Sequence, residues 1–130
     1  MNDGNSMRTP LGRVRHLGSA KNGTTHFWHQ RLTSVANVPL TVAAVFIVVG
    51  LVGRNQSAVA QILGSTPVAV VMLLFTITSI YHMWLGMQVI IEDYVHDDLV
   101  KLITLMSNTF FSFAVGLAAV FAILKLSFGL

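Results

Sequence analysis

Three long stretches without a single Asp, Glu, Lys or Arg constrain this chain more than any other feature: Leu32 to Gly53, Asn55 to Ile91 and Leu102 to Leu124. A helix rises 1.5 Å per residue and needs about 20 apolar residues to cross the hydrocarbon of a bilayer. Each gap is long enough. The pattern predicts an all-α integral membrane protein with three transmembrane helices, near residues 30–53, 67–91 and 102–126. The stretch GRNQSAVAQILGSTP is expected to form the first loop, and EDYVHDD to begin the second. Composition agrees: of 130 residues, 54% are hydrophobic and 10% charged. The mean hydropathy of +0.71 lies outside ordinary soluble composition.

The few charges are segregated. A formal net charge of +3 in a soluble domain would point towards nucleic acid. Here Arg8, Arg13, Arg15, Lys21 and Arg31 crowd the start of the chain, while the carboxylates are Asp3, Glu92, Asp93, Asp97 and Asp98. The expected partners are membrane lipids and other membrane chains, with no nucleic acid. Residues 1–26 are expected to be a basic polar tail without the apolar core of a secretory signal, and residues 27–130 the three-helix transmembrane domain. Lys and Arg are retained on the cytoplasmic side of a membrane. Their distribution predicts a cytoplasmic N-terminus, a cytoplasmic second loop and a periplasmic C-terminus.

The chain has no cysteine, so it can bind no iron–sulfur cluster, zinc–thiolate centre or covalently attached haem. A redox group would have to be held by His, Met or Tyr. Neither G-x-G-x-x-G nor a Walker motif is present, so any dehydrogenation belongs to other chains.

An ionisable residue inside a span costs enough to need a reason. His82 is such a residue, about 16 Å of helix from Asp93 and so near the bilayer midplane. Two readings stand side by side: a buried metal or haem ligand, and a neutral histidine hydrogen-bonded to a neighbouring helix. Gly86 lies one turn away on the same face, where a missing side chain suits either a flat macrocycle or close helix packing. Asp93 returns to nearly the same direction as His82, three turns on. Tyr94 beside it can donate a hydrogen bond to a quinone carbonyl, with Asp93 relaying protons. The plainer alternative is an interfacial tyrosine and a solvated loop charge. Arg31, near Phe27 and Trp28, could face Asp93, haem propionates or lipid phosphates. Pro39, with Ser34 and Asn37 nearby, marks a polar, locally opened stretch of the first span. His26 and His29 are too loosely spaced to form a metal site, and Met72, Met83, Met87 and Met106 read as apolar filler.

The run Tyr81-His82-Met83-Trp84-Leu85-Gly86-Met87-Gln88-Val89-Ile90-Ile91-Glu92-Asp93-Tyr94 resembles the H-x3-G-x6-D-Y signature of the small hydrophobic anchor (D-type) subunit of succinate dehydrogenase, respiratory complex II. Gly23 to Thr33, with Arg31 followed by a small hydroxyl residue, is similar to that family's approach to its first helix. The resemblance implies a chain that, with a cytochrome b anchor subunit, holds the flavoprotein and iron–sulfur subunits at the cytoplasmic face of a bacterial inner membrane. It implies His82 as an axial ligand of a shared haem b, Gly86 as a haem-packing position, Arg31 at the haem propionates, and Tyr94 with Asp93 at the ubiquinone. FAD and iron–sulfur clusters would reside in other subunits. Two alternatives remain at the level of sequence: an anchor of a fumarate-reducing relative using menaquinone, and a structural or transporter subunit without haem.

Overall fold

The computed structural model describes Thr9 and residues 22–129. Four helices follow one another, with no strand among the described residues: α1 (Asn22–Leu51), α2 (Gln56–Gly64), α3 (Thr66–Tyr94) and α4 (Asp98–Phe128). Three of them, α1, α3 and α4, are long and apolar enough to cross a membrane. Most of the predicted tail lies outside the described residues, but its last part, from Asn22, already belongs to α1.

Each span is longer than its charge-free core. The helices run 30, 29 and 31 residues, or roughly 45 Å each, against a hydrocarbon thickness of about 30 Å. Charge ends the hydrophobic stretch but not the backbone ladder. Helical hydrogen bonding continues into the headgroup region, where Arg31, Glu92, Asp93, Lys101 and Lys125 are tolerated. The helix α1 also runs through Pro39 without interruption.

Local chemistry sets the ends. Gly53 adopts a positive φ of 77° after α1, which an L side chain rarely takes up. Arg54 turns back so that Nε donates to the Gly50 carbonyl at 2.6 Å, placing a cation on the negative end of the helix dipole. The predicted first loop contains a helix of its own. Asn55 caps α2 by accepting from the Ala58 amide at 2.9 Å, and the chain re-enters the membrane after Ser65 with Pro67 in the first turn of α3. Asp97 caps α4 through the Val100 amide at 2.9 Å. Gly129, with φ 68°, ends it in a left-handed turn.

Helix α3 stands in the middle. It packs extensively against both α1 and α4, whereas α1 and α4 make no extensive contact with each other. The spans therefore form a row and not a closed bundle. Of the most apolar stretch of each span, only 6%, 11% and 6% is buried within the chain. The remainder is apolar surface that requires lipid or other membrane chains to cover it. On the side away from the N-terminus, α2 lies against the end of α4. A Cβ on Gly64 would come within 2.7 Å of the Leu126 carbonyl oxygen, so only glycine permits this contact. By the same measure Gly50 and Gly53 meet nothing and Gly116 meets Ile80 at an ordinary 3.6 Å.

Candidate functional site

The polar residues of α1 recur with helical spacing. His26, His29, Gln30, Thr33 and Asn37 fall on one stripe, and that stripe faces α3. Running antiparallel, α3 answers with Gln88, Gly86, His82, Tyr81, Ser79 and Thr78. His26 Nε2 lies 3.3 Å from Gln88 Oε1, and a hydrogen bond joins His29 Nδ1 to the Tyr81 hydroxyl. Thr33 Oγ1 lies 2.9 Å from His82 Nδ1. Asn37 Oδ1 accepts from Thr78 Oγ1 at 2.8 Å and from Ser79 Oγ at 3.2 Å. A continuous polar seam thus binds the first and second spans. Between helices in a membrane such bonds are worth about 0.6 kcal/mol on average and up to roughly 2 kcal/mol.

The seam continues towards α4 through aromatic residues. Tyr81 stacks on Trp84 with ring centroids 5.7 Å apart and planes 27° apart. Trp84 Nε1 donates to Thr109 Oγ1 at 3.2 Å, and Asn108 Nδ2 donates to the Trp84 carbonyl at 3.1 Å. Beside them an apolar groove of about 450 Å³ separates α3 from α4. Among the described residues, two buried polar atoms are left without a partner, Ser112 Oγ beside that groove and Gln30 Oε1 in the seam.

The residues singled out in the sequence divide into three groups. His82 sits in the middle of the seam, half-buried, with Nδ1 engaged and Nε2 without a hydrogen bond to any described residue. Gly86 faces α1, where a Cβ would lie 3.3 Å from Gln30 Nε2; within this chain its missing side chain makes room for that amide. Arg31 is not brought into the seam. It lies two residues, about 200° of helix, from Thr33, is exposed, and rests with its guanidinium carbon 5.2 Å from the centre of the Phe27 ring. No carboxylate among the described residues pairs with it. Asp93 lies about 10 Å of helix beyond Gly86 on α3, and the Arg31 guanidinium rests on Phe27 instead. Asp93 and Tyr94 close the same end of the molecule as His26. Both are exposed, Tyr94 to 78%, and neither side chain hydrogen-bonds to a described residue. His96 Nδ1 lies 3.1 Å from the Tyr94 carbonyl, where an N–H would donate to it.

The sequence places Gln30, Thr33, Tyr81 and Gln88 within the two family-like runs but gives none of them a role of its own. The signal that reveals them is the polar stripe at 26, 29, 30, 33 and 37, read against a complementary stripe on the next span. No three metal-ligating side chains converge among the described residues. A metal held at His82 would take its remaining ligands from elsewhere.

Three spans in a row, the first two joined by a polar seam in which His82 keeps Nε2 free of described partners, define a polytopic helical membrane subunit built to be completed by other molecules. The chain belongs to the succinate dehydrogenase/fumarate reductase transmembrane subunit family, whose model matches residues 5–123. It is 31% identical over 121 residues to the succinate dehydrogenase hydrophobic membrane anchor subunit of Paracoccus denitrificans, covering 93% of both chains. To the subunit of the same name from Rickettsia bellii (strain RML369-C) it is 34% identical over 91 residues, covering 68% of this chain and 70% of that one. A succinate dehydrogenase membrane anchor subunit of Reclinomonas americana is 24% identical over 96 residues, or 72% of this chain and 80% of the other. No solved structure matches the chain significantly.

Proposed function

We propose that this chain is the hydrophobic anchor of a succinate:ubiquinone oxidoreductase in a bacterial inner membrane, where it helps to bind haem b and to form the ubiquinone-reduction site. The observation that carries the reading is His82. In this chain, a member of the succinate dehydrogenase/fumarate reductase transmembrane subunit family, His82 lies mid-span with one ring nitrogen bonded to α1 and the other without a partner among the described residues. Imidazole is the usual protein ligand of a b-type haem, and iron needs an unprotonated, unengaged ring nitrogen. Nε2 of His82 fits that need. The second axial histidine would come from a cytochrome b anchor subunit. When bound, the haem supplies a one-electron carrier beside the quinone site.

The residues of this chain divide the remaining work. Gly86 is the haem-packing position, since any side chain there would press on Gln30 and crowd the face that carries His82. Arg31, a permanent cation on the outside of α1, is the propionate contact. Tyr94 donates its phenol hydrogen to a ubiquinone carbonyl, and Asp93 passes protons to the reduced ring. Their exposure in this chain agrees with a pocket whose other walls come from the iron–sulfur and cytochrome b subunits. The end of the row bearing Asp93, Tyr94 and the start of α1 faces the cytoplasm, in keeping with the basic residues before α1. There the iron–sulfur and flavoprotein subunits dock. Succinate oxidation, with its FAD and clusters, belongs to them, because this chain has no thiolate to hold a cluster.

A dithionite-reduced minus oxidised spectrum of the gently extracted complex tests the reading. A b-type band that disappears in His82→Ala supports the ligand. A complex that oxidises succinate and retains its full band in His82→Ala refutes it.

A further inference from the structure

Thr33 Oγ1 makes three close contacts: His82 Nδ1 at 2.9 Å, the His29 carbonyl oxygen at 2.7 Å and the Gln30 carbonyl oxygen at 3.2 Å. A hydroxyl has one hydrogen, and a carbonyl can only accept. Two oxygens 2.7 Å apart with no hydrogen between them would repel. The hydroxyl hydrogen therefore points to the backbone carbonyls of its own helix, and an oxygen lone pair faces His82. The hydrogen between Thr33 and His82 must then be carried by Nδ1. A neutral imidazole protonated on Nδ1 has its free lone pair on Nε2, the nitrogen without a partner among the described residues. Thr33 itself is 8% exposed, so water does not readily replace it.

We infer that Thr33 is the positioning residue for His82, fixing the Nδ1–H tautomer and the ring orientation that present Nε2 to iron. The inference rests on the reading of His82 as an axial haem ligand and adds to it the group that aims the ligand. A metal-bound histidine nearly always donates its other N–H to an acceptor, which sets the tautomer and raises the basicity of the ring. Carboxylates often fill that role, but a carboxylate near the middle of a membrane is expensive. A threonine whose hydrogen is already committed to its own helix supplies an acceptor without a charge. Because donor and acceptor lie on α3 and α1 of one chain, the ring is aimed before any other subunit arrives.

The test uses the assembled complex with all its subunits, carrying Thr33→Val, Thr33→Ala, Thr33→Ser or His82→Ala. The readouts are haem loss to an external scavenger, the haem midpoint potential and the low-spin electron paramagnetic resonance signal. Valine keeps the shape of threonine and removes the acceptor. Thr33→Val is expected to weaken haem retention about tenfold or more, to shift the potential upwards because a less basic imidazole stabilises ferric iron less, and to move the low-spin signal. Thr33→Ala carries the same expectation, so a complex that rejects valine still gives a result. Thr33→Ser restores all three properties. If valine and alanine leave retention, potential and signal unchanged while His82→Ala abolishes the low-spin haem, the positioning role fails and the ligand reading stands. If haem is lost equally in the serine and valine variants with potential and signal unaltered, Thr33 is a packing residue and the inference is overturned. A low-spin haem that survives His82→Ala overturns the ligand reading itself.

Discussion

Tyr94 presents its ring to the outside at the last residue of α3, and its hydroxyl is engaged by no described residue. Removing that oxygen should disturb nothing inside the chain. Tyr94→Phe is therefore expected to leave assembly intact and to lower quinone reduction by about 100-fold or more, the lower end of what a single acid–base group contributes. Succinate-dependent reduction of a soluble dye, measured alongside, should stay unchanged. Ser112 poses the opposite case. Its Oγ is buried without a partner, and an unsatisfied buried hydroxyl costs about 1–3 kcal/mol. Ser112→Ala should be neutral or should raise the melting temperature of the purified complex; a marked fall would show that another subunit or lipid completes the hydroxyl. At this scale the sequence was readable where cost made a residue conspicuous. His82 stands out because a titratable group interrupts a charge-free span. Thr33 is marked only as a small hydroxyl residue after Arg31, since threonine in an apolar helix is ordinary. Its meaning comes from the pairing of two helices, which no property of position 33 alone announces. Arg31 shows the same limit in reverse: the sequence leaves a pairing with Asp93 open, and only the folded helices show its guanidinium resting on Phe27.

The spans could be located from charge alone, because the bilayer excludes charge so strongly that gaps between ionised residues mark helices. Their ends could not, since hydrogen bonding and caps determine where a helix stops, and headgroups accept charges along the way. The helix α2 was also hidden. Its segment carries Gly, Asn, Ser and Pro, the residues of a loop, yet Asn55 caps the start of a helix and Ser65 closes its end by donating to the Ile62 carbonyl. Gly64, which attracts no notice in the sequence, leaves no room for a Cβ against the end of α4. Gly64→Ala should force α2 away from the Leu126 carbonyl and cost on the order of 1–3 kcal/mol, as overpacking generally does. Lower yield and earlier thermal loss of the complex would register it, with Gly50→Ala, which meets nothing, as the harmless control. Asp97→Ala removes the cap of α4 and should cost about 1 kcal/mol. Asp97→Asn should recover most of that loss in the same thermal assay, because amide oxygens cap as well as carboxylates do.

As a whole, the molecule is a row of three spans whose outer surfaces are nearly all apolar, and its orientation can be tested directly. The chain contains no cysteine, so single introduced thiols report sidedness without a background from this subunit. Gln56→Cys, at the start of α2, should react with a membrane-impermeant maleimide in intact spheroplasts. Asp98→Cys, at the start of α4, should react only in inverted membranes. The reverse pattern would invert the chain and remove the proposed quinone site from the cytoplasmic side.

The central position of α3 also bears on how the protein is made. The first span leaves the ribosome with His29, Gln30, Thr33 and Asn37 along one side, and the side chains that meet His29, Thr33 and Asn37 across the seam lie on a span not yet synthesised. Lipid offers those groups nothing in exchange. The first span therefore gains its full stability in the bilayer only when the second arrives, and the two enter it as a matched hairpin. The last span adds to a surface already built. Biogenesis thus has an order written into the pairing of side chains, and a chain interrupted before Thr66 would carry an unmatched polar stripe.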